Sequence, residues 1–125
     1  MHFNFQLAQD HLRVELFGRQ TLEDTLQFVE ALAAEARKHS ALPILIWVRN
    51  SRPIFKVERY PLSERFRQLA AQKGVRVALL ADSDEVRASN QYIEVLAGQQ
   101  GASVRAFREE SRALNWLTAQ SQKER

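Results

Sequence analysis

Residues 2–8 alternate apolar and polar, with Phe3, Phe5 and Leu7 set against His2, Asn4 and Gln6. Residues 12–16 repeat the pattern, with Leu12, Val14 and Leu16 against Arg13 and Glu15. A period of two predicts strands with one buried face. Gln9-Asp10-His11 is a short polar break, so the two strands are expected to form an antiparallel hairpin that ends at Gly18. Thr21 then opens a helix: its hydroxyl can accept from the first free N–H groups, and Glu23 and Asp24 suit the positive helix end. Leu22, Leu26, Val29, Leu32 and Ala36 recur at helical spacing and predict its buried stripe. The helix fades near His39.

"PILIWV", residues 43–48, is a near-continuous apolar run of the kind found in a central strand. Pro61 suits the first turn of a second helix, whose core positions are Leu62, Phe66, Leu69 and Ala70 and whose stop is Gly74. "VRVALLA" reads as a strand. A third helix is expected from about Asp84 to Ala97, with Val86, Tyr92, Ile93 and Leu96 inward. "ASVRAF" is the last strand, and "EESRALNWLTAQ" the last helix, with Ala113, Leu114, Trp116 and Leu117 facing the core.

The order β-β-α-β-α-β-α-β-α predicts an α/β domain with a mainly parallel five-stranded sheet. Strands are expected near 3–7, 12–17, 43–48, 75–81 and 102–107, with one antiparallel edge strand. Arg13 and Glu15 make one sheet face wet at that end, which favours helices mostly on the other face. The domain is expected over 1–120, with 121–125 as a frayed tail. Leu26, Ile46, Val77, Leu79, Leu114 and Leu117 are expected inside.

Composition narrows the chemistry. The chain has 125 residues and no cysteine, which excludes disulfides and thiolate catalysis. No signal peptide pattern and no membrane-length apolar run is visible, so the expected location is cytoplasmic, or peripheral at a membrane. The formal charge is +3, too mild to argue for nucleic acid. Its distribution says more. Residues 1–48 carry net −2, residues 49–76 net +6 and residues 77–125 net −1.

The positive stretch begins "RNSRPIFKVERYP". Arg49, Arg52, Lys56 and Arg59 follow the carboxyl end of a central strand, where open α/β sheets place ligands. Ile54, Phe55 and Tyr60 lie among them and could cover an apolar group. The segment 49–60 is thus the candidate anion-, membrane- or partner-binding element, set against the plainer reading of a solvated connection pinned by its apolar side chains. Residues 50–60 are expected to lack regular structure, since Pro53 and Pro61 restrict the residues before them. Ser51, between Arg49 and Arg52, is a candidate phosphoacceptor against the plainer reading of a loop serine.

Other residues carry less. His2, His11 and His39 fall at a terminus, a turn and a helix end, with no carboxylates at ligand spacing, so no metal site is expected. In "DSDE", residues 82–85, a helix cap explains the acids better than a cation site does. No catalytic triad or carboxylate pair can be argued, and neither catalysis nor a cofactor is expected.

The segments "GRQTLEDTLQFVEALAAEA", "VRVALLAD" and "GASVRAFREESRALNWL" resemble the SpoIIAA-like proteins of the STAS superfamily. The end of the chain carries most of the likeness, through Gly101, Val104, Phe107, Glu109, Glu110, Ala113, Leu114, Trp116 and Leu117. The resemblance implies a non-enzymatic binding or regulatory module. It also implies a phosphorylatable serine in an Asp-Ser-Ser-Gly-like turn, here within residues 49–63. That motif is absent, and the hydroxyls present are Ser51 and Ser63. The group shares its architecture with Sec14-type lipid-binding domains, which implies lipid contact by fold analogy alone. The expected partner is a protein, or alternatively an anionic lipid or small molecule; a homodimer is left open.

Overall fold

The computed structural model describes residues 1–39, 42–53, 59–71 and 75–123, with backbone alone at 59–60 and 119–123. The chain runs β1 (His2–Leu7), β2 (Leu12–Phe17), α1 (Leu22–Lys38), β3 (Ile44–Arg49), α2 (Arg59–Ala70), β4 (Arg76–Ala81), α3 (Asp84–Gln99), β5 (Ser103–Ala106) and α4 (Glu110–Lys123). The five strands lie in the sheet in sequence order. β1 is antiparallel to β2, and β2 to β5 are parallel neighbours. This is the architecture expected from the pattern.

Register sorts side chains onto two faces. Val14, Ile46 and Leu79 are successive partners across β2, β3 and β4, as are Leu12, Ile44 and Val77. Their face meets Phe28, Val29, Leu32 and Ala36 of α1, Leu62, Phe66 and Leu69 of α2, and Val86, Leu96 and Ala97 of α3. Phe3 and Phe5 of β1 pack against the same cluster. The opposite face holds Leu45, Ala78 and Leu80, covered by Ala113 and Leu117 of α4, with Trp47, Phe107, Leu114 and Trp116 around them. Three helices thus cover one face and one helix covers part of the other.

The caps form as the residue types dictate. Thr21 Oγ1 accepts from Asp24 N–H at 3.1 Å, and Ser83 Oγ from Val86 N–H at 3.2 Å. Gly18 follows β2 at φ +70, a left-handed conformation that glycine adopts without steric cost, and its N–H donates to Arg49 O at 3.2 Å.

Three expectations need correction. Leu26 and Leu114 are half-buried. In α1 the buried line runs through Thr25, Phe28, Val29, Leu32 and Ala36, because Phe28 is the bulkier residue and stacks edge-on against Phe3 at 5.3 Å. In α4, Ala113 and Leu117 point squarely at the sheet and leave Leu114 on the flank. The connection after β3 is also shorter than expected: α2 starts at Arg59, so Arg59 and Tyr60 are helical and Pro61 stands third in the first turn. At the far end α4 runs to Lys123.

Candidate functional site

Chain direction brings the ends of β2, β3 and β4 to one end of the sheet. β3 leaves through Asn50, whose φ of 47 is left-handed, a conformation asparagine tolerates better than most residues. Asn50 N–H donates to Asp82 Oδ2 at 3.0 Å, tying this exit to the end of β4. Asp82 of the "DSDE" string is thus an anchor for the turn, while Ser83 caps α3.

Ser51 and Arg52 are pinned to the end of β2. Ser51 Oγ accepts from Arg19 N–H at 3.1 Å and donates to Arg49 O at 2.9 Å. Arg52 N–H donates to Arg19 O at 2.9 Å. The Arg19 guanidinium turns inward, 4% exposed, donating to Thr25 Oγ1 at 3.0 Å and to Arg52 O. One arginine therefore holds the start of the segment from backbone and side chain together. Sequence reasoning missed it, since nothing near Arg19 marks it apart from a surface arginine.

Arg49 is placed on the sheet face that carries α4. Its Nε lies 3.3 Å from Glu15 Oε2, and its guanidinium sits 4.3 Å from the centre of the Trp47 ring. Trp47 Nε1 donates to Glu110 Oε1 at 2.9 Å, and Arg13 Nη1 donates to the same oxygen at 2.7 Å. The Trp47 hydrogen bond, then the Arg13 one, hold the Glu110 carboxyl below its ordinary range, against a smaller opposing effect of burial. This chain of Arg13, Glu110, Trp47, Arg49 and Glu15 was also missed as a unit. The signals were the alternating charges of β2 and an indole needing a partner for its N–H.

The candidate residues thus separate. Arg49 faces the α4 side of the sheet. Ser51 and Arg52 lie at the carboxyl ends of the strands, with Arg52 exposed. Ile54, Phe55 and Lys56 lie outside the described residues, as do the side chains of Arg59 and Tyr60.

Beneath α2 lies a partly open cavity of about 60 Å³. Its walls include Leu62, Phe66 and Leu69 of α2, with Phe28, Ile46, Leu79 and Ile93 around them. Arg19, Thr25 and Asn90 are its polar lining. Asn90 is 2% exposed, and its Nδ2 has no hydrogen-bond partner among the described residues. A second, open cleft of about 300 Å³ lies beyond β5, between Asp84, Arg87 and Gln91 of α3 and Phe107 and Arg108. Arg87 there is paired with Asp84 at 2.7 Å. Among the described residues no helix is long and apolar enough to cross a membrane, and no group of three potential metal ligands gathers.

No protein-family model matches the chain, and no curated protein sequence matches it. Among solved structures it is similar to the anti-sigma factor antagonist SpoIIAA in its unphosphorylated form. The TM-score is 0.55 at 18% sequence identity, covering 94% of this chain and 97% of that one. With the sheet order and the four helices already described, this likeness establishes that the chain has a SpoIIAA-like STAS fold.

Proposed function

We propose that this protein is a non-enzymatic binding or regulatory domain of the STAS type, and that it engages a protein partner through the segment 49–60. The carrying observation is the anchorage of Ser51 and Arg52 by Arg19 at the carboxyl ends of parallel strands, where the chain's positive charge is concentrated. Arg52, Lys56 and Arg59 supply the charge in this reading, and Ile54, Phe55 and Tyr60 the apolar contact. The net +6 of residues 49–76 favours an acidic partner surface. SpoIIAA, whose fold this chain shares, is named for antagonising a protein.

In this reading a phosphate on Ser51 acts as a switch. It would displace the Arg49 carbonyl and the Arg19 N–H from the serine oxygen, loosening the root of the segment. The test is a photo-crosslinking side chain placed in turn at position 52 and at exposed Glu30 on α1, followed in native cells. A discrete protein adduct from 52 and none from 30 supports the reading. Equal adducts from both positions contradict it.

The cavity favours a second reading, as a binder of small lipids or anionic ligands with 49–60 as lid. The unpartnered Asn90 Nδ2 offers a donor in otherwise apolar walls. Its volume admits only a few waters, so a longer apolar chain requires α2 to move outward. Here the protein binds anionic vesicles at low salt, Arg52→Glu/Lys56→Glu weakens that binding, and Phe55→Ser weakens it even at high salt. Wild-type protein that ignores such vesicles excludes the membrane version.

A further inference from the structure

The two edges of the sheet are finished differently. β5 is four residues long and carries Arg105. Phe107 N–H donates inward to Leu79 O at 2.9 Å, so Ala106 N–H points away from β4. That outward group is already occupied: it donates to Glu94 Oε1 of α3 at 2.7 Å. Shortness, charge and a capping side chain are the usual protections of an exposed edge.

β1, at the other edge, has none of them. Its six residues, HFNFQL, include no Asp, Glu, Lys, Arg or Pro. Its register against β2 runs unbroken from His2↔Phe17 to Leu7↔Leu12, so no bulge turns it aside. The direction of its backbone groups follows from the next rung, where Ala8 N–H donates to His11 O. Bonded and non-bonded rungs alternate in an antiparallel pair. His2, Asn4 and Gln6 therefore bond to β2, while Phe3, Phe5 and Leu7 turn N–H and C=O outward. The far side of β2 agrees, with Leu12 N–H donating to Pro43 O and Gly18 N–H to Arg49 O. Leu7 is 59% exposed, the most exposed large apolar side chain among the described residues.

We propose that β1 is a dimerisation edge: a second copy of this chain adds its own β1 antiparallel, joining two five-stranded sheets into one. The strand's self-complementarity selects a second copy over a foreign strand. With Phe5 on the two-fold axis, Phe5 meets Phe5 of the second copy, Phe3 meets Leu7, and Asn4 meets Gln6. Every outward N–H and C=O of Phe3, Phe5 and Leu7 is then paired. Directly opposite residues share a sheet face, so apolar side chains meet on the helix-covered face and amides on the other. No charge on the strand opposes the pairing. The interface lies on β1 and makes no use of segment 49–60.

The test is the solution mass of the purified full chain by sedimentation equilibrium over a concentration series, with residue-resolved amide exchange. Wild-type protein should sediment as a dimer. Leu7→Lys should halve the mass, because it sets a charge against Phe3 of the second copy at a position already exposed in the monomer. Asn4→Glu/Gln6→Glu should halve it too, by placing like charges opposite one another. Val95→Lys removes an equally apolar side chain, 55% exposed on α3, and should leave the dimer intact. In the dimer the amides at positions 3, 5 and 7 should exchange slowly, and in the monomeric variants quickly, while those at positions 4 and 6 stay protected and report an intact hairpin. A wild-type monomer at every concentration overturns the proposal, as does a dimer that survives both β1 variants or leaves the amides of Phe3, Phe5 and Leu7 unprotected.

Discussion

The two faces of the sheet are held by different physics. Three helices close the first face over Val14, Ile46, Leu79 and their neighbours, and its cohesion is apolar burial. The second face has one helix, a smaller apolar patch around Leu45, Leu80, Ala113 and Leu117, and a polar clamp in which Glu110 receives both Arg13 and Trp47. A broad apolar face is redundant, with many contacts sharing the load. A narrow one places its helix by a few directional bonds, so single residues there matter in a different way.

Adjacent residues of β4 offer the sharpest separation of the two. Leu79 points to the first face and Leu80 to the second, and both are buried. Either change to Ala should cost about 2–5 kcal/mol in denaturant unfolding. Leu80→Ala should raise exchange first in the amides of α4, whereas Leu79→Ala should raise it across α1 to α3 and the sheet. Indistinguishable exchange patterns would collapse the comparison.

Glu110→Gln probes the clamp. It leaves Arg13 and the Trp47 indole facing a neutral amide, and should cost about 1–2 kcal/mol given the carboxylate's partial exposure. Acid should act on the same group. Glu110 titrates lower in the folded chain than in the unfolded one, so its contribution is complete above the ordinary carboxylate range and is lost as pH falls through the folded value. The variant's stability should therefore fall less steeply on the acid side than that of the wild type, as measured by unfolding at a series of pH values.

Smaller effects follow at the root of segment 49–60. Ser51→Ala removes an acceptor for Arg19 N–H and a donor to Arg49 O, and should cost about 1 kcal/mol. Arg49→Ala removes a partly exposed ion pair with Glu15 and a stacked contact on Trp47, and should cost about 0.5–1 kcal/mol, less at high salt. A larger loss from Arg49 than from Glu110 would reverse their assigned importance in the clamp.

The contrast between the faces also explains what was legible in the sequence. Period two in Phe3–Leu7 and Leu12–Leu16, and the apolar run through Ile44–Val48, announce their strands because burial on a sheet leaves a local trace. Leu26 misled because spacing alone cannot rank it against the bulkier Phe28 nearby. The clamp left no local trace: Arg13 and Glu110 meet across a separation of 97 residues. Arg19 is the same case, since a buried guanidinium and a solvated one look alike in sequence. Arg49 could be counted with Arg52 as part of a basic stretch, yet strand alternation turns it to the α4 side of the sheet.

The proposed function rests on the charge of segment 49–60 acting from an anchored root, and Lys56 and Arg59 still supply that charge when position 52 carries the crosslinker. Its most direct measurement repeats the in-cell crosslinking from position 52 in a Lys56→Glu/Arg59→Glu background, with the folded state checked by thermal unfolding. The account predicts that the adduct seen with the unaltered segment disappears while the unfolding midpoint is kept. An adduct of undiminished yield after both reversals would contradict it.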